Sequence, residues 1–403
     1  MKIKLIGLIS LIGSISPIGS AAAQTADSSR LALHADVHLF FTDNEYSANR
    51  VDGYTLPGFT LRPYVEWHVD PAVTLQAGMH WLHYWGHAGF PHGPVNDVLS
   101  LASDSLDAVH LLPWMQATVA FTPGLRLVVG SLVNTDGHGL PYPLYNPERL
   151  YATDPEAGVQ LLADWRHLKA DLWCNWRNFI WYRSATQEVF DIGMSLRPTL
   201  PLGGDWTLAV PLHLLVQHHG GEGLADTNLG HVNHSNAAAG LAFSRCHNGL
   251  RLAAEGYAML YSRSGEPENP LVYDEWGCLR SEPVNFKQGW SAYALLKADW
   301  RSTVAEVSYW TGERFVPLLG PLHFSNVSAN TPHMTHDRIR VLTLRASHAW
   351  HWPHSSLTLH GAFHYYFPYT GDRTDYWKCY MPDATMFSLG CMLDLHPSLT
   401  LIR

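Results

Sequence analysis

The chain has 403 residues, of which 15% are charged, and its formal net charge at pH 7 is −9. This acidic balance argues against a nucleic-acid-binding protein, because such proteins carry basic patches that neutralise phosphates. The sequence after residue 23 holds no run of about 18 apolar residues, which excludes a transmembrane helix. Low charge together with 16 tryptophans and 18 tyrosines is typical of a wall that faces lipid and carries aromatic rings at its interfaces.

The N-terminal residues predict an export signal. Two lysines precede a mostly apolar stretch, residues 5–19, and Ser20–Ala23 supplies the small residues that a signal peptidase needs. An N-terminal membrane anchor is the alternative, but the apolar stretch is short and is broken by Pro17. We therefore predict a signal peptide over residues 1–23 and a single outer-membrane barrel over residues 24–403.

The stretch Gly158–Arg177 shows the pattern that recurs along the chain. In its second half, Leu168, Ala170, Leu172, Cys174 and Trp176 alternate with Lys169, Asp171, Trp173, Asn175 and Arg177. A β-strand places successive side chains on opposite faces, so this alternation predicts a strand with one apolar and one mainly polar face. A soluble sandwich alternates in the same way, but the recurrence of such hairpins behind an export signal favours a barrel with lipid outside and a polar lumen.

Taken in order, similar segments predict about 16 strands in all. They are Leu31–Phe41, Phe59–His68, Val73–His83, Leu111–Phe121, Leu125–Leu132, the two halves of Gly158–Arg177, Glu188–Arg197, Trp206–His218, Asn236–Ser244, Leu250–Tyr261, Trp290–Trp300, Thr303–Trp310, Ile339–Trp350, Leu357–Phe367 and Thr385–His396. Short turns, such as Pro123-Gly124 and Asn248-Gly249, alternate strictly with long connections. This alternation is typical of a transmembrane antiparallel up-and-down β-barrel with both termini on the periplasmic side, so we predict an all-β outer-membrane protein.

The polar faces carry charges of both signs, which we expect to line the lumen. The predicted pore-lining residues are Asp36, Arg62, Glu66, Asp164, Lys169, Asp171, Arg177, Arg251, Glu255, Lys297, Asp299, Glu306 and Arg345, with Asp191, Arg197 and Asp394 as further candidates. Facing charges are typical of a selective pore. A structural network of ion pairs that fills and stiffens the lumen is the other interpretation.

The loop His138–Tyr151 is rich in proline and tyrosine, a composition poorly suited to disorder. We hypothesise that it folds into the lumen and narrows the channel, with Tyr145 on the wall. Glu148 and Arg149 would then pair with charges such as Arg177 and Asp171. The alternative is a loop packed over the rim that does not affect flow.

Histidine and cysteine give no strong site motif. His218-His219 and His231-x-x-His234 are predicted to lie in one glycine-rich loop, and their spacing fits no standard zinc motif, so we predict no metal or other cofactor. Five cysteines occur without a CxxC pair, and a disulfide between Cys278 and Cys379 is the single pairing considered.

Several short stretches resemble a family of uncharacterised, porin-like outer-membrane barrels common in Bacteroidetes. They are Phe40–Tyr46, Gly53–Gly58, Tyr142–Arg149, Tyr309–Phe315 and Gly320–Leu322. The resemblance spans most of the mature chain and implies the barrel fold and the outer membrane, but it supplies no catalytic motif. The chain departs from many barrels at its end, where Leu399–Arg403 lacks a terminal aromatic residue.

These observations favour a passive channel for small polar solutes, since a barrel of about 16 strands is wide enough for an aqueous path. The expected partners are outer-membrane lipid and the solute. Adhesion or scaffolding by the outer loops is an alternative. A lipid hydrolase with a Ser–His pair on the wall is another, although no GxSxG motif occurs; His360 and His364 are then candidate bases.

Overall fold

The computed structural model describes residues 30–46, 51, 53–86, 109–182, 188–221, 231–266, 272–273, 279–280, 286–327, 336–370, 380–381 and 384–402. The predicted signal peptide, Cys278 and Cys379 lie outside these residues, as do many residues of the outer loops on which an adhesion function would depend. Within the described part of the chain, no helix has the length and apolar character needed to cross a membrane.

Nearly all regular structure is β-strand. The strands are β1 (Arg30–Tyr46), β2 (Tyr54–Asp70), β3 (Val73–Tyr84), β4 (Val109–Thr122), β5 (Leu125–Ser131), β6 (Ala157–Trp165), β7 (Leu168–Asn178), β8 (Glu188–Gly203), β9 (Trp206–Ala209), β10 (Leu212–Gly220), β11 (His231–His247), β12 (Leu250–Glu266), β13 (Val272–Tyr273), β14 (Leu279–Arg280), β15 (Gln288–Trp300), β16 (Thr303–Glu313), β17 (Arg338–Trp352), β18 (Ser355–Tyr366), β19 (Tyr369–Thr370), β20 (Tyr380–Met381), β21 (Ala384–Leu395) and β22 (Ser398–Ile402). In the described part of the chain, a short α-helix, α1 (Arg149–Ala152), lies between β5 and β6, and a 3₁₀ helix, Leu322–Phe324, follows β16.

The main sheet closes on itself because β1 pairs antiparallel with both β21 and β22. Strands β9 and β10 together form one strand of the barrel, interrupted at Pro211. Strands β21 and β22 form another, interrupted at Pro397. Proline lacks the N–H that a ladder requires, which accounts for both interruptions. When each interrupted pair is counted once, the barrel has 16 antiparallel strands, and the predicted fold class is confirmed.

The two faces of the wall follow the predicted alternation. Leu296 is 62% exposed on the outer face, whereas the neighbouring Lys297 points inward and pairs with Glu306 on β16. Trp290 and Trp300, near the two ends of β15, are also exposed on the outer face. An apolar outer face with aromatic residues at both ends is the pattern of an outer-membrane barrel, which places lipid against these side chains.

Short turns lie at one end of the barrel, here called the inner end, and long connections lie at the opposite, outer end. At the inner end, Asn248 and Gly249 have φ of 49° and 76°, the conformation of a tight hairpin turn. The turn predicted over Pro201–Asp205 contains fewer residues than expected, because β8 continues to Gly203. In outer-membrane barrels short turns face the periplasm, so the outer end faces the exterior.

Several strands extend further toward the outer end than predicted. β11 begins at His231, and β10 continues to Gly220. The prediction of a loop containing His218, His219, His231 and His234 was therefore wrong. Strand pairing satisfies the backbone N–H and C=O groups of these residues whatever their side chains are. Polar side chains near the rim therefore do not end a strand.

Candidate functional site

Two segments fold back from the outer end into the lumen. Residues 132–156 connect β5 to β6, residues 314–327 follow β16, and together they are called the infold. The backbone N–H of Asn146 donates to the carbonyl of Leu319 at 2.9 Å, which joins the two segments. Leu319 and Phe324 are 1% and 0% exposed. The infold therefore fills much of the outer half of the lumen as a packed core.

Buried asparagines attach the second segment to the wall. The Asn236 side chain on β11 donates to the carbonyl of Val316 and accepts from the N–H of Leu318, each at 2.9 Å. Asn326 accepts from the N–H of Phe315 at 2.9 Å and donates to the carbonyl of His336 at 2.8 Å. These bonds satisfy irregular backbone inside the barrel, where an unpaired polar group costs about 1–3 kcal/mol.

His138 attaches the first segment to the wall. Its imidazole lies between two carboxylates, with Nε2 at 2.7 Å from Glu156 and Nδ1 at 2.8 Å from Asp171, and its ring stacks on Trp173 at 3.9 Å. Burial by itself lowers the pKa of His138, but the two carboxylates outweigh it and raise the pKa to about 9. Burial opposes ionisation of Glu156 as well, yet the facing imidazolium lowers the pKa of that carboxyl. A charged His138 therefore bridges the infold to β7.

The predicted loop lies inside the barrel, but the partners of its Glu148 differ from those we expected. Glu148 accepts from the Tyr54 hydroxyl at 2.6 Å and from the Asn44 amide at 3.3 Å. Burial raises the pKa of Glu148, although these hydrogen bonds favour its charged form. The expected pairing of Glu148 with Arg177 was wrong, because Glu148 lies on the β1–β2 side of the lumen. Tyr145 is buried, as expected for a side chain packed inside the barrel.

Beside the infold and below it, the lumen keeps a cavity of about 670 Å³, whose lining runs from Tyr46 and Tyr54 at the outer end to Asp394 toward the inner end. Three predicted lumen residues converge on its wall. Glu306 accepts from the Lys297 ammonium and from the Arg345 guanidinium, each at 3.0 Å. Arg149 of the infold also lines this cavity. The cavity thus combines charges of both signs with a lid made of the infold.

The other predicted lumen charges mostly face opposite charges. Distances between the oppositely charged atoms are 3.9 Å for Arg62–Asp36, 3.7 Å for Arg177–Asp191 and 3.1 Å for Arg197–Glu255, and Glu66 lies 2.9 Å from the His68 imidazole. Arg251 lies opposite Asp299 in the β12–β15 register. Asp164 and Lys169 are different, because their side chains are 75% and 72% exposed at the inner end and are 3.9 Å apart.

A histidine–carboxylate pair inside the cavity had no signal in the sequence. His38 Nδ1 is 2.6 Å from Asp394 Oδ1, and Ser356 donates to the other carboxylate oxygen at 3.1 Å. The pair forms because closure of the barrel places β1 beside β21, which are 356 residues apart at this point. Alternation assigned Asp394 to the lumen, but no local pattern identifies its partner.

The predicted candidate bases are enclosed. His364 is 2% exposed and its Nδ1 lies 2.9 Å from the Thr343 hydroxyl, below the infold. A buried serine–histidine contact, Ser195 Oγ to His213 Nδ1 at 3.1 Å, also faces the lumen. Within the described residues, no group of three or more His, Cys, Asp or Glu side chains is arranged to hold a metal ion.

The outer wall carries a second polar cluster near the outer end. His218 Nδ1 lies 2.7 Å from Asn233 Oδ1 on the adjacent strand, and the Ser235 and Ser262 hydroxyls are 2.7 Å apart. Side chains of alternate residues in β10 face the lumen, and these four face outward. Polar groups are therefore present on a surface that otherwise meets lipid.

A family model described as Lipid A 3'-O-deacylase-type matches residues 23–403 of the chain. Among solved structures, OpdK of Pseudomonas aeruginosa, crystallised with vanillate, is 12% identical with a TM-score of 0.48, over 92% of this chain and 99% of that one. OmpT of Vibrio cholerae without loop L8 is 11% identical with a TM-score of 0.47, over 92% and 100%. OccAB3 of Acinetobacter baumannii is 12% identical with a TM-score of 0.47, over 92% and 100%. No curated protein matches the chain.

Proposed function

Because the chain belongs to the Lipid A 3'-O-deacylase-type family, we propose that it is an outer-membrane barrel that hydrolyses the acyl ester at the 3'-oxygen of lipid A. The observation that carries the proposal is the extent of the match, residues 23–403, which takes in the whole barrel. The expected origin from Bacteroidetes stays a prediction.

The geometry of the barrel supports a reaction on the outer wall. The infold packs much of the outer half of the lumen with buried side chains such as Leu144 and Phe315, so a large amphiphile has little room there. The exposed apolar face instead lies against lipid. An outer-leaflet lipid would meet its hydrolase at this face, near the outer end, where a headgroup and the first atoms of its acyl chains lie.

The test is deacylation by the purified barrel, refolded in detergent or lipid. Lipid A with an ester-linked chain at the 3'-oxygen is the substrate, and lipid A that lacks this chain is the control. We expect a mass loss of one acyl chain from the substrate, with release of one equivalent of fatty acid, and no product from the control. Absence of fatty acid release from both would contradict the proposal.

The second candidate is the passive channel, and the polar cavity below the infold favours it. Lys297, Glu306 and Arg345 line this cavity, as a charge-selective path requires. In this function Tyr145, Glu148 and Arg149 would narrow the path from above. Deletion of residues 141–147 should then raise single-channel conductance in planar bilayers. If the intact and shortened barrels conduct equally, the loop is not a constriction.

A further inference from the structure

A continuous row of side chains crosses the outer wall near the outer end. Trp176 on β7 stacks with Phe190 on β8, and Phe190 stacks with His218 on β10, each pair with ring centroids 4.7 Å apart. Asn233 on β11 follows, bonded to His218 Nδ1 at 2.7 Å. Strand register places these residues directly opposite one another. The row thus changes from aromatic to polar at one imidazole.

The hydrogen bond from His218 defines the chemistry of its ring. An amide oxygen only accepts, so His218 Nδ1 carries the proton and donates it to Asn233 Oδ1. In the neutral form of the ring, Nε2 then holds a lone pair. A base oriented through its second nitrogen is the arrangement that general-base catalysis uses.

A second imidazole lies next to this lone pair. The N–H of Gly221 donates to His231 Nδ1 at 3.3 Å, so the proton of the neutral His231 ring lies on Nε2, where it is a donor. A Cβ atom placed on Gly220 would lie 2.4 Å from His231 Nδ1 and 3.2 Å from His218 Nε2. The two rings therefore flank the same point, and the absence of a side chain at Gly220 leaves room for both.

The position suits an ester in the outer leaflet. His218 lies two residues from the outer end of β10, and its row includes Trp176, which is 45% exposed on the lipid-facing wall. Exposed tryptophans on such walls lie at the interface between headgroups and acyl chains. Ester groups of a lipid lie at that same level. The lumen histidines His38, His213 and His364 are separated from this lipid by the wall.

We infer that His218 is the general base of the deacylation, that Asn233 positions it, and that His231 stabilises the transition state; this inference rests on the proposed function. His218 Nε2 removes a proton from water as the water oxygen bonds to the ester carbonyl carbon. The carbonyl electrons move to its oxygen, where the His231 Nε2–H is a donor. When the intermediate collapses, the bond to the sugar 3'-oxygen breaks and that oxygen takes the proton from His218. The products are a fatty acid and a 3'-hydroxyl.

The barrel supplies a matched control for His218. His348 on β17 also faces outward and is bonded through Nδ1 to a side chain of the neighbouring strand, the Thr303 hydroxyl at 2.8 Å. It lies at the inner end, where no outer-leaflet ester reaches it. His348→Gln therefore reproduces the loss of an exterior, hydrogen-bonded imidazole without affecting the inferred site.

The experiment compares refolded variants by fatty acid release from lipid A at saturating substrate. We expect His218→Gln to lower kcat by ~10²–10⁴-fold, the range for loss of a general base. His348→Gln should retain the wild-type kcat. Gly220→Ala should also lose activity, because its methyl group displaces the two rings. Heat-dependent migration on gels reports whether each barrel is folded.

Two variants of Asn233 distinguish positioning of His218 from a merely structural role of Asn233. Asn233→Asp keeps an oxygen acceptor for His218 Nδ1–H and should retain most of the activity, whereas Asn233→Ala should lose it with the barrel still folded. The two Asn233 variants also test the role of His218 if His218→Gln does not fold. Wild-type kcat in His218→Gln, or equal activity in the two Asn233 variants, would overturn the inference and leave the proposed function standing. A wild-type barrel without activity on lipid A would overturn both.

Discussion

The outer and inner halves of the lumen are lined by the same alternation of strand residues, yet they differ in what fills them. In the outer half, infold residues such as Leu319 and Phe324 are 1% and 0% exposed and pack against the wall. In the inner half, pairs such as Lys297 and Glu306 are 3.0 Å apart with side chains 38% and 12% exposed. Inward-facing side chains are therefore part of a packed core where the infold covers them. Where the infold does not cover them, they form hydrated ion pairs.

The difference decides how each half contributes to stability. Burial of apolar surface contributes roughly 25 cal/mol per Å², and it is concentrated where the infold meets the wall. Exposed ion pairs contribute about 0–1 kcal/mol each, because water screens them and the side chains lose entropy. Substitutions in the outer half should therefore cost more than substitutions in the inner half.

The largest effect is expected from truncating the infold core. Phe324 contacts Trp310 and Tyr142, with ring centroids 5.4 and 5.2 Å away. We expect Phe324→Ala to lower the free energy of unfolding by about 3–5 kcal/mol, the cost of emptying a buried aromatic site. Urea unfolding of the barrel refolded in lipid vesicles measures this, with His68→Ala as the inner-half control. Equal losses in both variants would remove the distinction between the halves.

A pH-dependent effect of intermediate size is expected from His138. Its pKa of about 9 in the folded barrel lies above the ordinary value of 6.5, so its stabilisation is complete below pH 6.5 and is lost as the pH rises through 9. That difference in pKa corresponds to about 3 kcal/mol. Unfolding of wild type and His138→Gln should therefore differ by this amount at pH 6 and converge near pH 10. A constant difference over that range would show that His138 does not bridge the infold as a cation.

The smallest effect is expected from one inner-half ion pair. Lys297→Ala removes a partner of Glu306, which keeps its contact with Arg345, so we expect a loss of no more than about 1 kcal/mol. Its neighbour Leu296 provides the control on the opposite face, since an arginine at the membrane mid-plane costs ~2–4 kcal/mol. Unfolding in lipid vesicles compares Lys297→Ala with Leu296→Arg. Equal costs would mean that the two faces are assigned wrongly.

Much of the fold was predictable because alternation is a local property. A side chain's face in a strand depends on parity, so Lys297, Glu306 and Arg345 were assigned to the lumen without knowledge of their partners. The turn residues Asn248 and Gly249 were equally predictable, since few residue types adopt positive φ. Strand ends were less predictable, as His231 shows, because backbone pairing continues through polar residues near the rim.

The candidate sites were harder to predict, since their members meet only through closure or infolding. The His38–Asp394 pair joins the first and last strands of the barrel. The segment 314–327 shows no period that marks it as buried, and its place depends on Asn236 and Asn326, whose side chains satisfy its backbone. His218 and Asn233 become adjacent only through the register of β10 and β11.

The sequence by itself determined the barrel, its strand number and the side of the wall on which most side chains lie, because each follows from local patterns that recur along the chain. The tertiary structure alone decided that the infold occupies the lumen, that Glu148 contacts Tyr54 rather than Arg177, and that His218 and His231 flank Gly220 on the outer wall. These contacts join residues on separate strands and loops. Their free energies depend on burial and distance, which no local pattern of residues encodes.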